Sequence, residues 1–215
     1  MQGLRVGENF IKFPLKNLAF VFYITYNLEM KLKIFTDGAC SGNQNEDNFG
    51  GWGAILKLDL HEKEIHGGKP DTTNNRMELT GVIEAFSALK KPNLDIQVYT
   101  DSAYIVNCFK NGWHINWQKN GWKTAAKKPV ENKDLWERLL SLMDGHSVQF
   151  IKVKGHVSLK SQESTWLTLY EKFLSDNDLS RENVTLDDFK SITEMNVRVD
   201  ALAVRGADEA KAQKI

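Results

Sequence analysis

Strand-like and helix-like patterns of apolar residues alternate along residues 31–212. Residues 31–37 have the apolar and β-branched content of a buried strand and lead directly to Gly38. Because Gly38 and Gly42 follow at once, the pattern predicts that the strand ends at Asp37 and that the chain turns there. Two interpretations of Asp37 are open: an ordinary Asp-Gly turn, or a carboxylate held at the mouth of a central strand.

The next apolar runs predict two more strands and a helix. Residues 51–58 and 62–68 are typical of a hairpin, which would extend the first strand into an antiparallel meander. Helical spacing of apolar side chains predicts a helix over residues 75–90, with Asn75 as N-cap and Glu78 completing a capping box. Glu78 also borders the apolar stripe, where an unpaired carboxylate is costly, so it needs a partner.

A strand over residues 95–100 ends in Asp101 and Ser102, and a helix is predicted over residues 103–109. The order strand, helix, strand favours a parallel crossover that brings Asp101 beside Asp37. Open α/β sheets place their sites at these carboxyl ends. The alternative is that Asp101 or Ser102 only caps the following helix.

The C-terminal half carries two isolated polar candidates, His156 and Asp200. His156 follows a predicted strand, and Asp200 lies beside an apolar stripe of Val197, Ala201 and Val204. Taken alone, each is more typical of a solvated residue than of a catalyst. The pattern here predicts one strand, residues 147–153, and four helices, residues 133–143, 163–174, 185–192 and 196–212.

Composition fits one soluble globular domain with a sizeable core. Hydrophobic residues make up 41% of the chain, charged residues 26%, and the formal net charge is zero. The two cysteines have no CxxC spacing, which argues against a disulfide framework or a zinc site and favours a reducing cytoplasm. The apolar run 18–26 is shorter than the roughly 20 residues that cross a bilayer. We expect residues 1–29 to be a dispensable extension before an alternative start at Met30.

The zero net charge hides a strongly basic segment, residues 112–133, called the basic segment below. It contains three of the six tryptophans and five lysines, against one acidic residue, Glu131. Aromatic faces for stacking and lysines for phosphates are what a nucleic-acid surface requires. The alternative is an amphipathic helical excursion whose tryptophans belong to the core.

Five motifs in this order resemble those of type 1 ribonuclease H of the bacterial kind, across nearly all of residues 30–212. The basic segment is similar to the basic protrusion of that family. The motifs are Thr36-Asp37-Gly38, Thr73-Asn74-Asn75-Arg76-Met77-Glu78-Leu79, Thr100-Asp101-Ser102, Lys154-Gly155-His156 and Asn196-Val197-Arg198-Val199-Asp200.

The resemblance implies an RNase H-like α/β fold in residues 30–215. Its central five-stranded mixed sheet would have three antiparallel and two parallel strands, flanked by helices, with a basic helical protrusion. The departure from the family is a helical insertion, residues 157–195, where a short loop is usual. It carries four basic and eight acidic residues. We expect a lid, a partner-binding element, or a passive helical hairpin packed outside the core.

The resemblance also implies an activity: hydrolysis of the RNA strand of an RNA–DNA hybrid, leaving 5′-phosphate and 3′-hydroxyl ends. His156 would assist proton transfer or product departure. Two Mg²⁺ ions, replaceable by Mn²⁺, would act at the scissile phosphate, since carboxylate oxygens suit these hard cations. Their ligands would be Asp37, Glu78, Asp101 and Asp200.

Substrate contacts follow from the same resemblance. The RNA strand would be recognised by its 2′-hydroxyls, and no base-edge readout is expected. The rival interpretations are a non-cleaving hybrid-binding module and another nuclease of the same fold. We expect a cytoplasmic monomer that binds no membrane. The expected substrate-binding residues are Asn43, Thr73, Asn74, Asn75, Ser102, Trp113, Trp117, Lys119, Trp122, Lys123, Lys127, Lys128 and Asn196.

Overall fold

A computed structural model describes residues 4–6, 9–11, 31–41 and 48–213. The chain divides into two compact units, residues 1–31 and 32–215. In the first unit, strands β1 (Leu4–Val6) and β2 (Asn9–Ile11) pair antiparallel. The prediction of a dispensable extension falls mostly outside the described residues and stays a prediction. Within the described ranges, no helix has both the length and the apolar character needed to cross a bilayer.

The second unit is organised around a five-stranded mixed sheet with the order β5-β4-β3-β6-β7. The pairs β3–β4 and β4–β5 are antiparallel, whereas β3–β6 and β6–β7 are parallel. This confirms the predicted meander and the predicted parallel crossover. The strands are β3 (Leu32–Ser41), β4 (Phe49–Leu58), β5 (His61–Pro70), β6 (Asp95–Thr100) and β7 (Ser147–Lys152).

The predicted end of the first strand at Asp37 is wrong. Strand β3 continues through Asp37 to Ser41, which pairs with Phe49. Gly38 serves close packing and not a turn, because a Cβ atom there would lie 2.3 Å from the backbone nitrogen of Glu78. Strand β3 therefore passes directly against the start of the next helix, and this brings Asp37 and Glu78 together.

The described part of the chain contains six helices besides the strands: α1 (Asn74–Ser87), α2 (Ala103–Lys110), α3 (Trp113–Lys119), α4 (Lys133–Met143), α5 (Glu163–Asp176) and α6 (Leu186–Ala212). The predicted capping box of the first helix is wrong. Thr73 is the N-cap of α1, and its hydroxyl accepts a hydrogen bond from the backbone nitrogen of Arg76 at 3.3 Å. Glu78 is thereby left available to the site.

The last two predicted helices, residues 185–192 and 196–212, are one continuous helix, α6. The intervening residues contain neither glycine nor proline to interrupt it. Thr193 lies between the two predicted helices and is buried. Its hydroxyl donates a hydrogen bond to the carbonyl of Phe189, so this buried polar side chain has a partner within the helix. Helix α6 begins at a capping box between Thr185 and Asp188.

Two hydrophobic clusters involve alternate residues of the central strand. Ile34 belongs to the cluster of α1, α2 and α4, whereas Phe35 belongs to that of α5 and α6, since successive strand side chains point to opposite faces. The insertion thus contributes core residues, so the prediction that it packs outside the core is wrong, whereas its passive role stays a prediction. Each large side chain contributes about 1.5–3 kcal/mol by burial; those from the insertion include Trp166, Tyr170, Phe173 and Phe189.

Helix α6 lies directly on the antiparallel strands. A Cβ atom on Gly51 would lie 2.0 Å from the carbonyl oxygen of Ala203, so only glycine allows this approach. The predicted stripe of Val197, Ala201 and Val204 is wrong, because Val204 is exposed. The buried face consists of Val199, Ala203, Ala207 and Ala210. The close packing of α6 on the strands fixes the position of Asp200 relative to the sheet.

Candidate active site

Asp37 is the most buried carboxylate of the candidate site, with 7% of its surface exposed. Its Oδ1 accepts a hydrogen bond from the backbone nitrogen of Gly38 at 2.7 Å. Burial raises the pKa of Asp37 to about 8, with further increases from the charges of Asp101, Asp200 and Glu78. The Gly38 hydrogen bond opposes this increase. An aspartate in such surroundings favours either a proton or a cation.

Glu78 is held from two sides at the start of α1. Its Oε1 accepts from the side-chain nitrogen of Asn74 at 2.8 Å, and its Oε2 accepts from the hydroxyl of Ser102. Burial raises the pKa of Glu78, Ser102 lowers it, and the charge of Asp101 raises it again. The predicted need for a partner is therefore met by Ser102, whose hydroxyl also caps α2 by accepting from the nitrogen of Ile105.

Asp101 follows strand β6 and lies against the loop that carries His156. A Cβ atom on Gly155 would lie 2.1 Å from Oδ2 of Asp101, so the glycine allows the loop to approach this closely. Burial raises the pKa of Asp101, the charge of His156 lowers it, and that of Asp200 raises it. His156 is exposed and adopts the left-handed backbone region with φ of 55°.

The four predicted carboxylates come from four different elements and influence one another electrostatically. Asp37 lies on β3, Glu78 on α1, Asp101 after β6 and Asp200 on α6. The charges of the three others all raise the pKa of Asp37. We call these four residues the carboxylate cluster. The four residues are far apart in the sequence, so only the predicted strand order and the motifs indicated that they lie close together.

The donor set of this cluster fits divalent cations chemically. It offers oxygen ligands only, and the repulsion between its charges would be relieved by bound positive charge. Among the described residues, however, no three His, Cys, Asp or Glu side chains converge closely enough to hold an ion as they stand. Glu78 is retained by Ser102 and Asn74, so cation binding requires the side chains to reorient.

The basic segment presents its lysines to solvent and turns part of its aromatic surface inward. Trp113 is 38% exposed, whereas Trp117 and Trp122 pack against the core, with the Trp117 and Trp136 rings 5.6 Å apart. The core interpretation therefore holds for Trp117 and Trp122, and the nucleic-acid interpretation of the segment stays a prediction. Lys133 pairs with Glu137 at 3.5 Å. The exposed lysines are Lys119, Lys123, Lys127 and Lys128.

The predicted substrate contacts outside the basic segment have different surroundings. Thr73 and Asn74 are exposed beside Glu78, and Asn75 is half-buried. Asn43 lies outside the described residues. Asn196 is 2% exposed, and its Oδ1 has no hydrogen-bond partner in the described part of the chain. Their roles toward substrate stay predictions.

Arg76 is a structural residue that the pattern reasoning did not single out. Its guanidinium donates two hydrogen bonds to Asp134, at 3.1 and 2.7 Å, and one to Asn132 at 3.2 Å. This bidentate pair joins α1, which carries Glu78, to the start of α4 at the end of the basic segment. Its presence within the asparagine-rich motif was the only available signal.

Comparisons with known proteins agree with this geometry. A sequence model of the RNase H family matches residues 29–165. Ribonuclease H of Clostridium botulinum (strain Hall) is 54% identical over 126 residues, which is 59% of this chain and 84% of that protein. Ribonuclease H of Chlorobium phaeovibrioides is 55% identical over 129 residues, which is 60% of this chain and 86% of that protein.

A solved structure extends the likeness to most of the second unit. LC9-RNase H1, described as a type 1 RNase H with the type 2 active-site motif, superposes with a TM-score of 0.61 and 26% identity. The match covers 84% of this chain and 74% of that one. Three carboxylates and His156 lie within the family match, whereas Asp200 lies beyond it. The chain belongs to the ribonuclease H family and is a hydrolase of the endoribonuclease class.

Proposed function

We propose that this enzyme hydrolyses the RNA strand of RNA–DNA hybrids with two divalent cations and leaves 5′-phosphate and 3′-hydroxyl ends. The observation that carries the proposal is the gathering of four carboxylates around the buried Asp37: burial raises the pKa of Asp37 to about 8, and the charges of Asp101, Asp200 and Glu78 add to that increase. A protein that only bound hybrids would gain nothing from collecting buried negative charge beside phosphates. The family membership supports the same reaction class.

Asp37, Glu78, Asp101 and Asp200 would hold the cations. When bound, a pair of divalent ions lowers the pKa of an attacking water and stabilises the departing oxygen. Ser102 and Asn74 hold the carboxylate of Glu78 near Asp101 before any ion arrives, and from there it would turn toward a cation. Gly155 keeps the His156 loop against Asp101.

His156 is placed to handle protons, because it is exposed beside Asp101. The imidazole of His156 can accept a proton at the attacking side or donate one to the product. Because its side chain is exposed, His156 can also contact the product as the product leaves the site. We assign it a role in proton transfer or product departure, and not in cation binding.

Strand recognition would be divided between two surfaces. Asn74 and Asn75 lie at the start of α1 near Glu78, where their amides can pair with 2′-hydroxyls of the RNA strand. Thr73, the N-cap of α1, is a candidate phosphate contact on the DNA strand. Trp113 and Trp117 would follow the sugars of the DNA strand, and the exposed lysines of the basic segment would pair with phosphates. We expect no dependence on base sequence, since phosphate and sugar contacts carry none.

The test is a strand-labelled hybrid incubated with Mg²⁺ beside matched DNA duplex, RNA duplex and single strands. We expect cleavage of the RNA strand of the hybrid only, and products that a ligase joins without prior phosphorylation. Cutting of the DNA strand, or no cutting in either Mg²⁺ or Mn²⁺, would reject the proposal.

A further inference from the structure

The insertion builds a cavity beside the candidate active site. The cavity has a volume of about 380 Å³ and lies between α5, the start of α6 and the segment that carries His156. Asp101, a member of the carboxylate cluster, lines one side of it. The family match ends at residue 165, so most of α5 and the start of α6, which form this wall, lie beyond the matched residues.

The chemistry of the lining is mixed, with positive charge above an apolar floor. Leu169, Phe173 and Phe189 form the floor, with the two phenylalanine rings 5.1 Å apart. Lys172 is paired with Asp176 at 3.0 Å. Lys152 and Lys154, by contrast, form no salt bridge with any residue the structure describes.

An apolar floor with two available ammonium groups fits a ligand that has a flat apolar part and an anionic part. A nucleoside phosphate has both, and the volume falls within the range of small-ligand sites. Bases stack readily on apolar and aromatic surfaces, and lysines pair with phosphates as point charges. Asp101 at the rim disfavours a phosphate on that side and leaves the lysine side for it.

We propose that this cavity is a nucleotide subsite that takes one unpaired nucleoside phosphate of the RNA strand next to the cleavage site. The inference rests on the proposed function for the identity of the strand. The insertion is then neither a lid nor a spacer, because it supplies the floor on which the base lies. Hybrids with a single-stranded RNA extension would be bound more tightly than blunt ones.

The first arm measures binding without catalysis. The full chain in chelator is titrated with adenosine 5′-monophosphate, adenosine and inorganic phosphate, followed by amide chemical shifts. We expect the monophosphate to bind with a Kd of about 1 mM, adenosine and phosphate to bind far more weakly, and shifts in α5 and residues 152–156. No binding, or equal binding of inorganic phosphate, overturns the nucleotide assignment.

Two pairs of variants locate the binding. Leu169→Trp fills the cavity, whereas Leu167→Trp adds the same ring at an exposed position of α5 that does not line it. Lys154→Ala removes one ammonium group, and Lys160→Ala is its exposed counterpart outside the cavity. We expect a loss of at least about fivefold in monophosphate affinity for the first of each pair. Equal affinity within both pairs overturns the assignment of the cavity.

The second arm identifies the source of the nucleotide. Leu169→Trp should raise KM several-fold for hybrids with an RNA extension and leave KM for blunt hybrids unchanged. An equal KM change on both substrates, or none on either, overturns the assignment to the RNA strand. Failure of wild-type enzyme to cleave any hybrid would instead reject the proposed function, while the binding arm would still decide the cavity.

Discussion

The carboxylate cluster and the basic segment hold opposite charges in opposite settings. Burial and repulsion raise the pKa of three of the four carboxylates. The lysines at 119, 123, 127 and 128 are exposed and form no salt bridge within the described residues. Charge in the first region is constrained by structure, whereas charge in the second is free to follow a phosphate backbone.

This difference separates the two regions by what they can contribute. Buried like charges destabilise the fold and are useful only when cations or substrate arrive, which is a common trade of stability for function. Exposed lysines cost the fold little and add affinity that salt weakens. The Arg76–Asp134 pair, at 2.7 Å, connects the two regions structurally. Substitutions in the cluster should therefore change kcat, and those in the basic segment KM.

The largest expected effect comes from Asp200→Asn. Removing this carboxylate should lower kcat on the order of 1,000-fold, because transition-state charge loses one of its stabilising groups. The matched control is Asp208→Asn, which removes the same charge from an exposed position on the same helix. Single-turnover cleavage of a labelled hybrid in Mg²⁺ measures both. Similar rates for the two variants would remove Asp200 from the cluster.

A second, smaller loss is expected for Ser102→Ala. Without the hydroxyl, Glu78 keeps only Asn74 as a side-chain partner, so kcat should fall about 10- to 100-fold while KM stays constant. Ser102→Thr should restore most of the rate. Ser102 also caps α2, so Thr185→Ala, which removes the cap of α6, serves as control. A change in KM alone would contradict the positioning role.

The sequence predicted the sheet better than it predicted how the site is assembled. Apolar periodicity indicated all five strands of the second unit, because strand patterns are local signals. The order of the elements gave the antiparallel meander and the β3–β6 crossover, and the family resemblance gave the complete mixed sheet. The pattern assigned Gly38 to a turn, whereas a glycine is required there because the backbone of Glu78, which is distant in sequence, packs against it. It also divided α6 in two, since the burial of Thr193 against its own helix is invisible in a local pattern.

The motifs identified the four carboxylates, but they did not predict which residues contact them. Nothing in the sequence indicated that Ser102 would hold Glu78, or that Gly155 would allow the loop to reach Asp101. Such contacts join residues that are far apart in the chain, and periodicity carries no information about them. The cavity of the insertion was missed for the same reason, because its floor and its lysines come from different segments.

A third prediction concerns stability and sharpens the cost of burying charge. The folded-state pKa of Asp37, about 8, is above its ordinary value of 3.8, so the native state binds more protons between these values. Stability of the metal-free wild type should therefore fall as pH rises through this window. Asp37→Asn removes that loss and should gain up to about 5 kcal/mol in unfolding free energy at pH 8, and little at pH 4.

Urea unfolding in chelator at both pH values measures this difference. Adding Mg²⁺ should stabilise the wild type and leave Asp37→Asn nearly unchanged, because only the intact cluster gains from bound positive charge. The stability difference between Asp208→Asn and the wild type should not change with pH in this way, because Asp208 lies exposed on α6 and Asp37 is still present in that variant. If Asp37→Asn had the same unfolding free energy as the wild type at pH 8, the ionised Asp37 would not be destabilising.

The smallest effect on turnover is expected in the basic segment, and it tests the comparison from the opposite side. Replacing Lys123, Lys127 and Lys128 with Gln should leave kcat intact and weaken hybrid binding at low salt. Each lost phosphate contact should reduce the slope of log affinity against log salt by about 0.9, so the triple variant should lose roughly two to three.

Hybrid affinity between 50 and 200 mM salt, measured by fluorescence anisotropy with Asp37→Asn as background, gives that slope without cleavage. The control replaces Lys90, Lys91 and Lys211, which are equally exposed but lie at the far ends of α1 and α6. An equal slope for both triple variants would mean that the effect comes from net charge alone. In that case the lysines of the basic segment would have no positional role, and the division between the two regions would fail.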